Sequence, residues 1–449
     1  MQHEKQRGYP SFPSSVWERT VGMLCIQCNM KNNAVHIVFS GGGTAGHLTP
    51  GLAVAECLAA ALPRVRITFC GVGKPLERQM IGRSGFEYFT LPASPMPRGV
   101  GAAVSFVVEQ LSSQAAAGRF LREEEVDAVV GLGGYASVPM ARAAVRHDLP
   151  LVLLEQNAVP GKATRWLAGR ASLVCASYEQ TRSMLRCRCP VRVTGNPIRR
   201  GFAAKSRSML APLSMATTSI DLSNIYPSSS LKQPVWNQSQ HAKQDPGTAT
   251  GGRGIAGGQI LVLGGSGGAR ALNENVPPAL YKVGRQLRGW RIVHQTGEAD
   301  LDATRTLYRK LALDAVVAPF FDNLPSLLAG AELAISRAGG STLAELAAAG
   351  VPAVLLPYPH AADDHQAANA RHYADGGGCV TIDQRKVAGR LDDELAEKLC
   401  FLLADGELRR RMSAAMLDLA RPQAAEDAAE LVWTIASSRS HGNVSTVQA

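Results

Sequence analysis

The sequence predicts an α/β protein made of two Rossmann-like halves, each a parallel sheet wrapped by helices. Three observations carry this prediction. Short apolar runs of strand length alternate with helical runs. The alternation stops once, over residues 201–258, and then resumes. Each half also opens in the same way, with an apolar strand, a glycine turn and a helix: HIVFSGGGTAGH at 36–47 and ILVLGGSGGARALN at 260–273.

At 449 residues the chain is long for one ordinary domain, which fits two. Ordered pattern begins at AVHIVFS (34–40). Residues 1–33 have mixed polarity and no period, and are expected to be a disordered leader; Met30 is an alternative start. The leader lacks an apolar core followed by a small-residue cleavage site, so it does not read as a signal peptide. In the first half, 34–200, strands are expected at HIVFS, RITFCG, DAVVGLGG, LVLLEQ, LVCAS and VRVTGNP. Helices such as PGLAVAECLAAALP (50–63) and VPMARAAVRHD (138–148) lie between them. Residues 201–258 are rich in Ser, Gln, Gly and Pro and bury too little apolar surface to fold alone, which makes them a flexible linker or insertion. The second half, 259–422, places strands at QILVLGG, WRIVHQTG, AVVAPFFD, LAISRAGG and VPAVLLPYP. Its STLAELAAAG segment (341–350) is a helix begun at a glycine turn and closed by Gly350. A C-terminal helix over 423–437 is expected to pack back on the first domain, followed by a disordered tail over 438–449.

The net charge of +10 suits nucleic acid, an anionic membrane or a phosphate-rich substrate. Aromatic residues make up only 6% and no basic-aromatic run occurs, which argues against nucleic acid. No apolar stretch of about 18 residues is present, so no membrane-spanning segment is expected. Nine cysteines, an odd number in apolar and helical contexts, suit a reducing cytoplasm better than a disulfide framework. Cys25 and Cys28 with Cys187 and Cys189 offer a zinc set, but one pair falls in the leader, and no metal is expected.

Gly41, Gly43 and Gly46 match the dinucleotide fingerprint G-x-G-x-x-G. That reading requires an acid at the end of the second strand to hold the adenosine ribose. Here that strand, RITFCGVGK, ends in Cys70, Gly71 and Gly73, with no acid. His47 is a candidate general base, with a loop hydrogen bond as the plainer role. The second glycine loop adds the Ser266 hydroxyl and Arg270 to its backbone amides. In SRAGGSTLAELAAAG (336–350), Gly339 and Gly340 allow close approach, and Ser341 and Thr342 stand at a helix N-terminus. Glu345 can accept both hydroxyls of a ribose, though an early helical acid is also favoured by the dipole alone. In PYPHAADDHQAANA (357–370), His360, Asp363, Asp364 and His365 invite a metal but lack ligand spacing. Gln366 and Asn369, three apart, read as sugar-hydroxyl readers. Glu155, Gln156 and Asn157 follow a buried strand at the end of the sheet that faces a ligand cleft, and Asn196 and Arg199 close the first half beside it.

In this order, GGGTAGHLTPGLAVAE, GLGGYASVP, LEQNAVPGKATRWLA, GNPIRR, GGSGGARALN and SRAGGSTLAELAAAGVPAVLLPYPHAADDHQAANA resemble the MurG family over residues 34–200 and 259–435. These are the N-acetylglucosaminyltransferases that make lipid II for bacterial cell walls. The resemblance implies a GT-B fold, two Rossmann-like domains facing across a cleft with the donor held mainly by the second. It implies inverting transfer of GlcNAc from UDP-GlcNAc to the C4 hydroxyl of MurNAc in undecaprenyl-diphosphate-MurNAc-pentapeptide (lipid I), with no cofactor and no metal. Carried onto this chain, Thr44, Ala45 and Gly46 line the first loop, Asn157 meets the sugar, Arg199 takes the donor-site position and Ser266 binds phosphate. The backbone at Phe321 meets uracil. Gly340, Ser341, Thr342, Leu343, Ala344 and Glu345 wrap the nucleotide, with Glu345 on the ribose. Gln366 and Asn369 read GlcNAc, and His47 and Tyr135 lie on the acceptor side.

Three departures stand out: Ala45 replaces a common glycine, Gly267 stands where the family often has Gln, and the linker is long. The family also implies peripheral docking on the anionic cytoplasmic face of the inner membrane, with other cell-wall synthesis enzymes as partners. Here SPMPRGVGAAVSFVVEQL (94–111), with Arg98, Arg182, Arg186, Arg188 and Arg192, is the segment expected to dock. The competing readings are another GT-B lipid glycosyltransferase using a UDP-sugar, a non-hydrolysing UDP-GlcNAc epimerase, and a non-catalytic nucleotide-sugar-binding protein.

Overall fold

The computed structural model describes residues 35–95, 103–199, 258–265, 267–387 and 389–440. The leader, the Met30 start, the Cys25–Cys28 pair, the linker up to residue 257, Arg98, Ser266 and the tail from 441 lie outside the described residues.

The first sheet contains β1 (His36–Ser40), β2 (Arg66–Gly71), β3 (Glu87–Thr90), β4 (Ala128–Gly131), β5 (Leu151–Glu155), β6 (Leu173–Ala176) and β7 (Val191–Val193). Its spatial order is β3-β2-β1-β4-β5-β6-β7, all parallel. The second contains β8 (Gln259–Leu263), β9 (Arg291–Gln295), β10 (Ala315–Ala318), β11 (Ala331–Ser336), β12 (Ala353–Leu355) and β13 (Cys379–Thr381). Its order, β10-β9-β8-β11-β12-β13, is again parallel throughout. Each is a doubly wound sheet whose strand order reverses beside its first strand, at β1/β4 and at β8/β11. A crevice opens at that point because the two crossovers leave in opposite directions. The expected strands are all present. The sheet edges β3 (EYFT) and β13 (CVT) were not among them; each is too short to show an apolar run.

The first-half helices are α1 (Ala45–Ala61), α2 (Pro75–Ser84), α3 (Ala103–Glu123), α4 (Val138–Arg146), α5 (Lys162–Leu167) and α6 (Gln180–Met184). The second half has α7 (Arg270–Val283), α8 (Leu301–Lys310), α9 (Leu324–Ala329), α10 (Gly340–Ala348), α11 (His365–Asp375), α12 (Leu391–Ala404) and α13 (Gly406–Leu419). Expected from residue 50, α1 starts at Ala45 and carries Pro50 in its interior. Gly350 adopts the left-handed conformation (φ 62°) just past α10, as the expected stop requires.

Both faces of each sheet are covered. Phe39, Phe69 and Val130 anchor one first-half core, and Leu333, Ile335 and Val354 one in the second. A last helix, α14 (Ala424–Ser440), returns to the first half. Ala425, Ala428, Ala429, Val432, Trp433 and Ala436 recur at helical spacing, and all are buried in the core that contains Phe39. The helix therefore runs through 440, beyond the point at which a disordered tail was expected. Ala158, Tyr178 and Ile198 of the first half are buried with second-half residues such as Leu343 and Tyr373, joining the two units by apolar contact.

Candidate active site

Both switch-point crevices open into one cleft of about 1520 Å³ between the halves. Ala45 and Gly46 line it from the first half. Gly264, Gly265 and Gly268 of the second loop, then Ser341, Thr342 and Glu345 at the start of α10, line it from the other, with Arg199 between. One hydrogen bond crosses directly from α10 to α1. Pro50 has no N–H to give the carbonyl four residues earlier. That carbonyl, on Gly46, instead accepts the Ser341 hydroxyl at 3.1 Å.

In the first loop Gly43 takes a positive φ of 86°, turning the chain sharply from β1 into α1. Thr44 Oγ1 lies 3.0 Å from His47 Nδ1. The imidazole packs on Gly133 and Gly134, where a Cβ on either residue would come within 3.4 Å of the ring. Both glycines have positive φ, so the turn after β4 demands glycine twice over. Tyr135 follows directly. Its hydroxyl reaches the vicinity of Gly43, and the Lys74 ammonium lies 5.9 Å from its ring centroid. Thr44, His47 and Tyr135 thus gather as one group behind the cleft wall formed by Ala45 and Gly46. Burial holds the His47 imidazole below its ordinary pKa. The charge of His365 across the cleft acts in the same direction, and the Gly42 carbonyl opposes both. The ring is therefore neutral at pH 7, the form a base needs.

The second-half wall is built around buried polar groups. Glu345 is only 5% exposed. Burial pushes its carboxyl up to about 7, with Arg199 pulling the other way. Gln295, at the carboxyl end of β9, joins two parts of the wall. Its Oε1 accepts the Phe321 N–H at 3.2 Å, and its Nε2 donates to the Gly265 carbonyl at 3.2 Å. Arg337 donates to the Leu356 carbonyl at 2.9 Å and to Gln384, and stacks on Tyr358. Gln366 Oε1 accepts Tyr358 N–H at 2.9 Å and Ala338 N–H at 3.3 Å, so only its amino group can serve a ligand without displacement.

Some expected site residues have other surroundings. Leu343 is fully buried in the core, and Ala344 packs against it. Gly340 supports the interface rather than the cavity, since a Cβ there would come 2.3 Å from the Gln156 carbonyl. Asn369 is completely buried: its Oδ1 accepts Ala158 N–H at 2.8 Å, and its Nδ2 donates to Asn157 Oδ1 and the Ala338 carbonyl, each at 3.1 Å. Asn157 is tied at its other end to Glu155, 3.3 Å away. The expectation that Asn369 reads sugar beside Gln366 is thus corrected, because its hydrogen-bonding capacity is spent joining the halves. Of the acidic pair in 357–370, Asp363 bonds Arg165 and Asp364 pairs with Arg385 at 3.2 Å. The sequence reading missed Gln295, Arg337 and the buried Glu77. Gln295 carried a usable signal, a polar residue ending a parallel strand.

Away from the cleft, α3 presents Val104, Val107, Val108 and Leu111 at i, i+3, i+4 and i+7, each between 53% and 72% exposed. No helix among the described residues is long and apolar enough to cross a membrane.

Two doubly wound domains meeting at a shared cleft, with a glycine loop in each, are the GT-B architecture, and the family match makes the protein a glycosyltransferase of that class. The glycosyltransferase family 28 N-terminal domain matches residues 37–175, and the family's C-terminal domain matches 259–431. The chain belongs to this family, and within it to the MurG group. It is 33% identical over 402 residues to the UDP-N-acetylglucosamine--N-acetylmuramyl-(pentapeptide) pyrophosphoryl-undecaprenol N-acetylglucosamine transferase of Thermodesulfovibrio yellowstonii, covering 89% of this chain and 99% of that one. The protein of the same name from Methylococcus capsulatus is 35% identical, with 89% and 98% covered. Among solved structures, Acinetobacter baumannii MurG superposes with a TM-score of 0.63 at 26% identity, covering 89% of this chain and 99% of that one.

Proposed function

We infer that the protein moves GlcNAc from UDP-GlcNAc to the C4 hydroxyl of MurNAc in undecaprenyl-diphosphate-MurNAc-pentapeptide, turning lipid I into lipid II. The observation that carries this reading is the shared cleft, with buried Glu345 on one wall and the neutral His47 behind the other. The donor lies against the second half. Glu345 accepts the ribose hydroxyls, and the N-terminus of α10 with Ser341 and Thr342 meets the diphosphate. Ser266 adds a hydroxyl, the Phe321 backbone reads uracil once Gln295 yields, and the Gln366 amino group reads GlcNAc. His47, held by Thr44, takes the proton of the acceptor hydroxyl as that oxygen bonds the anomeric carbon from the face opposite UDP. The bond to UDP breaks and the configuration inverts. Arg199 and the α10 dipole stabilise the charge that grows on the leaving diphosphate. The test is transfer of radiolabelled GlcNAc from UDP-GlcNAc to a lipid I analogue. A folded protein that binds UDP-GlcNAc but transfers nothing would refute the reading.

The same reading places the protein peripherally on the cytoplasmic face of the inner membrane, where its lipid-linked acceptor resides. The exposed stripe of α3 supports this, since four neighbouring apolar side chains on one helical face are suited to the acyl boundary. Vesicle flotation tests it: binding should strengthen with anionic lipid, and equal binding to neutral vesicles would remove the electrostatic part.

A further inference from the structure

Glu77, on the first turn of α2, is 1% exposed and reaches into the first glycine loop. Its Oε1 accepts the Gly43 N–H at 2.6 Å. Its Oε2 accepts the N–H groups of Val72 at 3.0 Å, Gly73 at 2.9 Å and Lys74 at 3.2 Å, together with the Tyr88 hydroxyl at 2.6 Å. Four converging backbone N–H groups form the kind of concavity in which loop proteins hold a phosphate. Here the anion belongs to the protein. The fit is tight enough to dictate sequence, since a Cβ on Gly42 would fall 2.3 Å from Oε1 and one on Gly71 2.7 Å from Oε2. Two of the glycines around this loop therefore make room for a carboxylate.

We propose that Glu77 is a positioning residue of the transfer reaction: its carboxylate fills the anion nest of the first glycine loop, fixing Gly43 and through it Thr44 and His47, and closing that loop to phosphate. The role in transfer rests on the function inferred above; the filled nest does not. The chain from carboxylate to base is short. Gly43 directly precedes Thr44, whose hydroxyl meets His47 Nδ1, and the Lys74 ammonium lies 3.4 Å from the Gly43 carbonyl and braces the following peptide of the same residue.

The test is Glu77→Ala with formate, which restores a carboxylate to the nest. Formate should raise the Tm of the variant and leave wild type unmoved, a readout that needs no turnover. The His47 titration, followed by NMR, should move toward 6.5 in the variant and return with formate. The turnover number should fall by about tenfold to a hundredfold, as for a base misplaced by a fraction of an ångström, with UDP-GlcNAc affinity unchanged. Formate should recover a large part of it. Three results would overturn the proposal: no formate response beyond wild type, donor affinity falling in step with turnover, or wild-type turnover in the variant. A wild type that transfers nothing would sink the inferred function instead, leaving the Tm and NMR arms to decide whether Glu77 fills the nest and holds His47. Tyr88→Phe, which keeps four of the five bonds, covers a Glu77→Ala chain that does not fold. It should show the same split, turnover down severalfold with donor affinity intact, and an unchanged turnover would overturn the proposal.

Discussion

Lowering the pH from 8 to 6 should weaken UDP-GlcNAc binding through one side chain. The Glu345 carboxyl titrates near 7 in the ligand-free protein because burial disfavours its charged form. Ribose hydroxyls are donors, and the carboxylate is the form that accepts both. If the bound carboxylate stays ionised down to pH 6, the apparent Kd scales with the fraction ionised when free. It then rises about tenfold between pH 8 and pH 6, and most of that rise falls below pH 7, where Kd is only about twofold above its high-pH limit. The phosphates of UDP-GlcNAc, unlike those of UDP, do not titrate in this range. Calorimetry at pH 7 in buffers of different ionisation enthalpy should show about half a proton released per donor bound. Glu345→Gln should bind about tenfold to a hundredfold more weakly at pH 8, the loss of hydrogen bonds to a charged group, and with a flat profile. A wild-type Kd constant from pH 6 to 8, or a profile that survives in Glu345→Gln, would refute the reasoning.

The same shift acts on stability with a definite sign. The folded-state pKa is raised from 4.5 to about 7, so the folded chain binds more protons than the unfolded one between those values. Stability from this group is complete below pH 4.5 and is lost as pH rises to 7, by up to about 3 kcal/mol. Glu345→Gln should therefore be more stable than wild type at pH 8 without ligand, and no more stable at pH 4.5, by urea unfolding. Equal stability at pH 8 would mean that the carboxylate is not strained.

His47→Ala should lower the turnover number about a hundredfold or more while leaving the donor Kd within about twofold; near-normal turnover would exclude His47 as base. Wild-type turnover should also show an acid limb below 6.5, since the His47 pKa is lowered. Val107→Glu with Val108→Glu should abolish flotation with anionic vesicles while leaving transfer to a water-soluble acceptor analogue intact. His294 is buried between Tyr308 and Asn273, and its pKa is lowered from 6.5 to about 3. Its contribution is present above 6.5 and is lost on acidification, about 2 kcal/mol by pH 5, and a His294→Gln chain should lack that slope in urea titrations.

All the strands but β3 and β13, the two glycine loops and the C-terminal helix were legible because each rests on a local period or a local turn residue. β1 (HIVFS) and β8 (QILVL) carry apolar runs ending in a glycine turn, and α14 repeats alanine and larger apolar residues at helical spacing. What escaped depends on partners distant in sequence. Asn369 looks like Gln366 in the chain, and only the approach of Ala158 and Asn157, more than 200 positions away, uses up its amide. Pro50 reads as the start of a helix, yet lies inside one. The cleft edge it creates at the Gly46 carbonyl is visible only once Ser341 stands opposite. Glu77 reads as an ordinary first-turn acid favoured by the dipole.

The two loops share a motif but not a role, and the side chains around them account for the difference. A glycine turn ahead of a helix exposes amides that attract an anion, whichever sheet supplies the strand. In the first half, the helix one unit further on supplies that anion as Glu77, and the loop becomes rigid support for Thr44 and His47. In the second, the bonds described around the loop run between its own groups and Gln295. Gly264 N–H donates to the Gln295 carbonyl at 3.4 Å, and the Gln295 amide donates to Gly265. Those contacts hold the loop's shape, and among the described residues none of them brings a carboxylate onto the loop's amides as Glu77 does in the first half. Moving an acid into the second loop, as Gly267→Glu would, should reproduce the first loop's condition. Donor affinity should fall by tenfold or more, about 1.4 kcal/mol, with the first-half network untouched. Unchanged UDP-GlcNAc binding by that variant would show that the donor diphosphate does not approach this loop.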